Sequence, residues 1–420
     1  MIVPEKCHRA NLCELALGCK SGRDNVRQQL DRHPVEISGH DPRKGPWTHR
    51  AFRPAPLPRQ SPLLQGSTYL AIADSRAALA ALDSTARRLP NPTLLRRPTL
   101  RREAQATSAL EGTYAPLSDV LTADEERPGS ADLREILNYV QMANHAFGWI
   151  GDGRPLSLGM LEDLQRLLVT GTSSDGPSSG QVRDIQVAIG RRADAALGEL
   201  PIRAARFVPP PPGDDLVGDL RELLDWMRAD HTGEFDPVVA CAMAHYQFET
   251  LHPFNDGNGR IGRLLVILHL HAMGLLEEPT LTISPWFEAR RTDYYERLLG
   301  VSVSGDWDSY VEYFATGLRE SAELTHRQML ALVRVQADLK EVVRGSSLRA
   351  DSALLLVDFS VANPSFSVKA AARGLGVSVG RANALVATFI ELGLLEPWDA
   401  ATYNRRFYAP RVMDVLLDRG

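Results

Sequence analysis

Two apolar runs, "PVVACAMAHYQFETLH" from Pro237 and "IGRLLVILHLHAMG" from Ile261, flank the short loop "PFNDGNGR". Both carry apolar residues at helical spacing. The first reads as a buried helix leading into the loop. The second reads as a helix leaving it, ended by Gly274. A chain built around such a pair needs further helices to cover it. The remaining periodicity supplies them, in "STYLAIADSRAALAALDSTARRL", "LRREAQATSALEG", 131–150, "LSLGMLEDLQRLLVTG", "DDLVGDLRELLDWMRAD", "RRTDYYERLLG" and the run from Trp307. "LPNPTLLRRP" reads as a break between the first two of these, and Gly112 as a helix C′ residue.

Two segments depart from the helical pattern. "GQVRDIQVAIGRR" and "ARFVPPPP" carry short β-branched runs, which predict a hairpin closed by the prolines at 209–212. The last 75 or so residues read as helix, glycine turn and helix in "SVKAAARGLGVSVGRANALVATFIELGLL", then two short strands in "EPWDAATYNRRFYAP". That order resembles a winged helix-turn-helix. Its second helix offers only Arg381 as a cation and its wing Arg405 and Arg406, so DNA binding and a protein-contact or dimerisation role both stay open. Residues 1–60, rich in Arg, Pro, His and Gly, read as a poorly ordered extension and linker.

The bulk numbers exclude several classes. The chain has 420 residues, 44% of them hydrophobic, and a net charge of −5, which gives no global basic field for nucleic acid. No apolar run is long enough to span a bilayer, and the N-terminus lacks the continuous apolar core of a signal peptide, so a cytoplasmic protein without a membrane partner is expected. Cys7, Cys13 and Cys19 are spaced too widely for a usual zinc pair, and Cys241 falls in an apolar helical pattern as a core residue.

The loop itself carries chemistry. Gly257 and Gly259 let the backbone turn its N–H groups toward one point, and Asn258 between them tolerates unusual dihedrals. The loop runs into a helix start, where free N–H groups favour an anion. Arg260 and Arg263 are three apart on the first turn, suited to clamp phosphate oxygens. Asp256 is a hard oxygen ligand fit for Mg2+ bridging phosphates, and His252 has the side chain for a general base. The residues therefore read as a triphosphate–Mg2+ cradle with a base on its lip. An EF-hand would need acids where Phe254 and Leu265 stand. The histidines form no H-E-x-x-H, and no Gly-Lys-Ser/Thr follows as in a P-loop. A plain structural turn explains the glycines but not the His and Asp beside them.

"HPFNDGNGRIGR" resembles the signature of the Fic-domain family, His-Pro-Phe-x-Asp-Gly-Asn-Gly-Arg-x-x-Arg, with every specified position filled. The resemblance implies an all-α Fic fold with a short β-hairpin flap, followed here by the C-terminal winged helix-turn-helix. It divides the chain into a helical N-terminal region at 61–128, a catalytic core at 129–340 and the last unit at 345–420. It implies a protein adenylyltransferase that uses ATP and Mg2+. His252 would deprotonate a Tyr, Ser or Thr hydroxyl of a target protein, which attacks the α-phosphate. Asp256 would hold Mg2+. Gly257, Asn258 and Gly259 would form the anion nest, continued by Ile261 and Gly262, with Arg260 and Arg263 on the outer phosphates and Phe254 packed inward. Ile189 and Gly190 of the flap, and Tyr294 or Tyr295 of "DYYERLL", would complete the nucleotide site, with Tyr295 preferred.

"TSALEG" at 107–112 resembles the family's inhibitory motif, Ser/Thr-x-x-x-Glu-Gly/Asn. Thr107 and Glu111 share one helix face. The resemblance implies that Glu111 pairs with Arg263 and removes it from the γ-phosphate. Two alternatives accompany this reading. One is removal of AMP from modified proteins, and the other is a DNA-binding regulator that uses the core as a sensor. Another nucleotide or a phosphocholine donor is disfavoured by the two arginines. Self-modification and a homodimer are further open options.

Overall fold

Helices dominate the structure, a computed structural model that describes residues 34–88, 93–125, 127–346, 348, 351–398 and 405–417. The elements run β1 (Pro34–Asp41), β2 (Gly45–Phe52), α1 (Gly66–Arg88), α2 (Thr93–Leu110), α3 (Leu117–Thr122), α4 (Ala131–Gly151) and α5 (Leu158–Val169). There follow α6 (Pro201–Ala204), α7 (Asp214–Arg228), α8 (Pro237–Leu251), α9 (Asn258–Ala272), α10 (Ser284–Ala289), α11 (Arg291–Ser304) and α12 (Trp307–Gly345). The C-terminal part holds α13 (Asp351–Ala362), β3 (Ser365–Ser367), α14 (Val368–Leu375), α15 (Val379–Glu391), β4 (Glu396–Pro397), β5 (Arg406–Tyr408) and α16 (Pro410–Leu417).

The pair α8 and α9 forms the centre. Nearly every residue of both helices is buried, as expected of helices apolar all round. Asp236 starts α8 by accepting from the Val238 N–H at 2.9 Å, and Pro237 takes the first helical position, where its missing N–H is harmless. One face of the pair packs on α4, α5 and α7. The other joins a cluster with α1, α10, α11 and α12. Helix α12 has 39 residues, roughly 58 Å at 1.5 Å per residue, and lies along α1 before reaching α13 and α16. No helix among the described residues is long and apolar enough to cross a membrane.

Three expectations need correction. The stretch read as linker holds an antiparallel hairpin, β1 against β2, with Pro34 opposite Phe52. Its Ile37, Trp47 and Ala51 are buried with Ala188, Leu200, Ile202, Ala205 and Val208. A few apolar residues between prolines and arginines were enough, because their burial partners lie about 150 residues away. Second, helix α2 begins at Thr93 and carries Pro98 inside it, where a break was expected. The lost backbone hydrogen bond falls near the helix start, while Pro98–Glu103 and Ala106–Leu110 are buried, and packing overrides the proline. Third, the predicted flap hairpin is reduced to a single antiparallel bridge, Ile189 with Phe207. Gly190 turns left-handed at φ 63° and the prolines from 209 have no N–H, so no ladder extends. The connecting segment forms the turn α6 instead.

In the C-terminal part, α14, the turn at Gly376 and α15 are followed by the expected strands. β3, unforeseen, joins them in the order β3-β5-β4. Cys241 is a buried free thiol, whereas Cys7, Cys13 and Cys19 lie outside the described residues.

Candidate active site

Helix α8 stops at His252, whose backbone is left-handed (φ 48°, ψ 59°) and whose N–H still donates to Phe248 O at 3.0 Å. It is the only described non-glycine residue with positive φ, a conformation that costs roughly 1–2 kcal/mol for a side chain of this kind. Glu249 O lies 3.4 Å from the imidazole Nδ1. A carbonyl can only accept, so in the neutral ring this contact favours the proton on Nδ1.

The loop then turns through Gly257, at φ 91°, into α9. A Cβ at Gly257 would stand 2.6 Å from Leu168 Cδ2, so space as well as dihedral demands glycine there. Asn258 is itself helical and buried, and needs none of the unusual dihedrals that asparagine tolerates. Its amide accepts from Phe254 N–H and donates to Phe254 O, both at 2.8 Å, and so closes the loop on itself. Phe254 and Ile261 are fully buried and point into the core. Ile261 therefore supplies packing behind the loop.

Both arginines are sunk in the protein. Arg260 is 2% exposed and donates to Asp256 at 2.9 Å and to Glu135 at 2.5 Å. Burial opposes its charge, but Asp256 and Glu135 together leave its pKa above the ordinary value. Arg263 is fully buried. Its Nε donates to the Thr107 hydroxyl at 2.7 Å, and its Nη2 to Thr107 O at 3.0 Å and Glu111 Oε1 at 2.7 Å. Burial again opposes the charge, and Glu111, the largest favourable neighbour, more than offsets it with the others. A Cβ on Gly259 would meet Glu111 Oε1 at 2.1 Å, so the carboxylate rests directly on the first turn of α9. Asp256, paired with Arg260, is a hard carboxylate beside this turn. That donor set fits Mg2+, which takes one or two protein carboxylates and completes its shell with phosphate oxygens and water.

The aromatic candidates separate. Tyr294 is core: it is 1% exposed and its hydroxyl is 2.8 Å from His245 Nε2. His245, whose pKa burial pushes down to about 3, also contacts Gly262 O and so braces α9 as a neutral ring. Tyr295 lies at the end of α2, its hydroxyl donating to Leu110 O at 3.4 Å. Ile189 and Gly190 sit at the flap bridge. Three residues absent from the sequence reading belong to this site. Glu135 binds Arg260, Arg183 binds the His252 turn, and Glu103 bonds the N–H and hydroxyl of Ser284 beneath Arg263. Each is an ordinary charge within a helix or loop, and no local pattern marks it.

Residues 69–148 match the family described as Fic/DOC family N-terminal, and residues 155–270 the Fic/DOC family. Protein adenylyltransferase fic-1 of Caenorhabditis elegans is 31% identical over 143 residues, 34% of this chain and 24% of that protein. Protein adenylyltransferase Fic of Drosophila willistoni is 33% identical over 117 residues, 28% of this chain and 22% of that protein. The chain thus spans about a quarter of the length of these curated relatives. Among solved structures, a Fic family protein from Desulfovibrio desulfuricans G20 shares the fold at TM-score 0.51 and 21% identity, over 83% of this chain and 98% of that one.

Proposed function

This chain is a Fic-domain protein, and we propose that it is an autoinhibited protein adenylyltransferase, which moves AMP from ATP to a Ser, Thr or Tyr hydroxyl of a target protein. The observation that carries this reading is the position of Glu111. Its carboxylate rests on Gly259 and pairs with Arg263, where an anion nest and a guanidinium would otherwise meet phosphate.

In the transfer, His252 Nε2 takes the proton of the target hydroxyl. The freed oxygen attacks the α-phosphorus in line, the bond from the α-phosphorus to the bridging oxygen breaks, and pyrophosphate leaves with that oxygen. Arg260, Arg263 and the backbone of 257–259 hold the triphosphate, so catalysis is positioning and charge stabilisation. Mg2+, held by Asp256, would neutralise phosphate charge. With Glu111 in place Arg263 is already engaged, and ATP binds with its phosphates displaced.

Intact-mass measurement of the full chain and a protein mixture after Mg2+-ATP tests the reading. Addition of AMP by the Glu111→Gly protein, and none by Glu111→Gly/His252→Ala, is expected. No AMP transfer by Glu111→Gly to itself or any protein would overturn it.

A second reading, release of AMP from modified proteins, draws on the same carboxylate, which is placed to orient water. Released AMP from a modified protein, dependent on Glu111, distinguishes it. For the last unit, the order α14, turn, α15 and a three-stranded sheet supports a winged helix-turn-helix. Arg406 bonds Ser365 and faces Asp124, which favours a protein contact over DNA at the wing.

A further inference from the structure

Three arginines are among the largest fully buried side chains, and all three lie at this site. Arg260 and Arg263 face acids. Arg183 does not: among the described residues it has no carboxylate partner. Its Nε donates to His252 O at 2.8 Å. Its terminal nitrogens donate to Ile185 O at 3.1 Å, to Leu251 O at 3.4 Å and to Pro210 O, and its backbone N–H donates to Pro253 O at 2.9 Å. Burial pushes its pKa down to about 10, so it stays charged at neutral pH.

An unpaired buried charge is expensive, and its placement identifies what it does here. Leu251 is the last residue of α8 and His252 its C-cap, where carbonyls lack helical partners and the helix dipole is negative. Arg183 meets both needs at once, at the one described non-glycine residue held in a left-handed, strained conformation. Ile185 and Pro210 stand on the two sides of the flap. One guanidinium thus spans the base-bearing turn and both legs of the segment facing it.

We propose that Arg183 is a positioning residue for the transfer reaction, fixing the distance and direction between His252 and the flap that would present the target hydroxyl. This inference rests on the function proposed above. It predicts a particular pattern of loss. The phosphate contacts assigned to 256–263 are untouched by Arg183, while the angle of attack depends on it. A displacement of about 1 Å at a reacting group can cost on the order of 100-fold in rate.

The test uses the full chain with Glu111→Gly as parent, adding Arg183→Gln and Arg183→Lys. Expected for Arg183→Gln is a kcat lower by about 100-fold, with the ATP dissociation constant within about twofold of the parent. Arg183→Lys keeps the charge but loses the fork, and should recover part of the rate. The His252 ring signal in a histidine NMR spectrum, assigned by its loss in His252→Ala, should move in Arg183→Gln and return toward the parent in Arg183→Lys. Unchanged kcat, or ATP affinity falling by the same factor as kcat, would overturn the proposal. If Arg183→Gln does not fold, Arg183→Lys is read by the same split. If the parent transfers no AMP at all, the proposed function falls, and the NMR shift alone then decides whether Arg183 sets the His252 ring.

Discussion

Arg263 Nη2 donates to Glu111 Oε1 at 2.7 Å, joining residues 152 positions apart, and the same guanidinium bonds Thr107 twice. The pair is almost closed to solvent on the arginine side, with 1% of that side chain exposed against 20% of the glutamate. One charge therefore has a protein partner here and, on the proposed function, a phosphate as the competing partner.

Glu111→Gly should leave Arg263 buried without its acid. Removing one member of a buried pair typically costs about 3 kcal/mol or more. The nucleotide-free variant should melt earlier than the wild type, and ATP should stabilise it more. Labelled product from α-labelled ATP should rise by roughly tenfold or more, since each ~1.4 kcal/mol released is tenfold. Equal labelling by wild type and variant would sink the autoinhibitory contact.

Thr107→Ala removes only the hydroxyl that accepts from Arg263 Nε. A hydrogen bond to a charged group contributes about 1.5–3 kcal/mol. Labelling should fall between that of the wild type and that of Glu111→Gly. A rate equal to the wild type would show that the helix is held without this contact.

His252→Ala should lower transfer by roughly 100-fold or more, the usual contribution of a general base. The ring is buried against its own turn and fills little of the core, so thermal unfolding should change little. Circular dichroism and the labelling assay, run on one sample, separate loss of the base from loss of fold.

Glu103 adds a pH dependence. Burial pushes its carboxyl up to about 6, against the lowering effect of its bonds to Ser284. Folding therefore favours the protonated form. Its contribution is fully present below about pH 4.5 and is lost as pH rises through 6, by about 2 kcal/mol. Glu103→Gln stays neutral and lacks this loss. Urea unfolding of both proteins from pH 4 to 8 should give curves that converge or cross; parallel curves would exclude the shift.

Trp47→Ala tests the hairpin on the flap. Trp47 is 4% exposed in a cluster separate from the two large cores, and the Phe52 N–H donates to Val208 O at 2.8 Å. Truncation should cost about 3 kcal/mol locally. Amide exchange at 187–189 and 207–208 should quicken while α8 and α9 stay protected. Uniform loss of protection would mean that the hairpin supports the whole fold.

Much of the centre was readable along the chain. The helix–loop–helix at 237–274 has a dense local signal, in which apolar periodicity, Pro237 after Asp236 and glycines at the turn all agree. His252, Asp256, Arg260 and Arg263 lie within twelve positions, so short-range geometry brings them to one place. The flap is less regular than its sequence suggests, because β-branched residues mark strand preference but cannot supply the donors that prolines lack. Residues 34–52 look like linker in sequence because their burial depends on partners near 200.

The sequence by itself determined the resemblance to the Fic family, the buried helix pair and the order of groups in the loop, because these rest on contacts between near neighbours. Only the tertiary structure decided what those groups face. Glu135 reaches Arg260 from α4, Glu103 lies beneath Arg263, and Arg183 grips the His252 turn from across 69 positions. A charge within a helix or loop looks the same in sequence whether water or a buried guanidinium lies beyond it. The difference arises when packing removes the water and leaves each buried charge needing a partner.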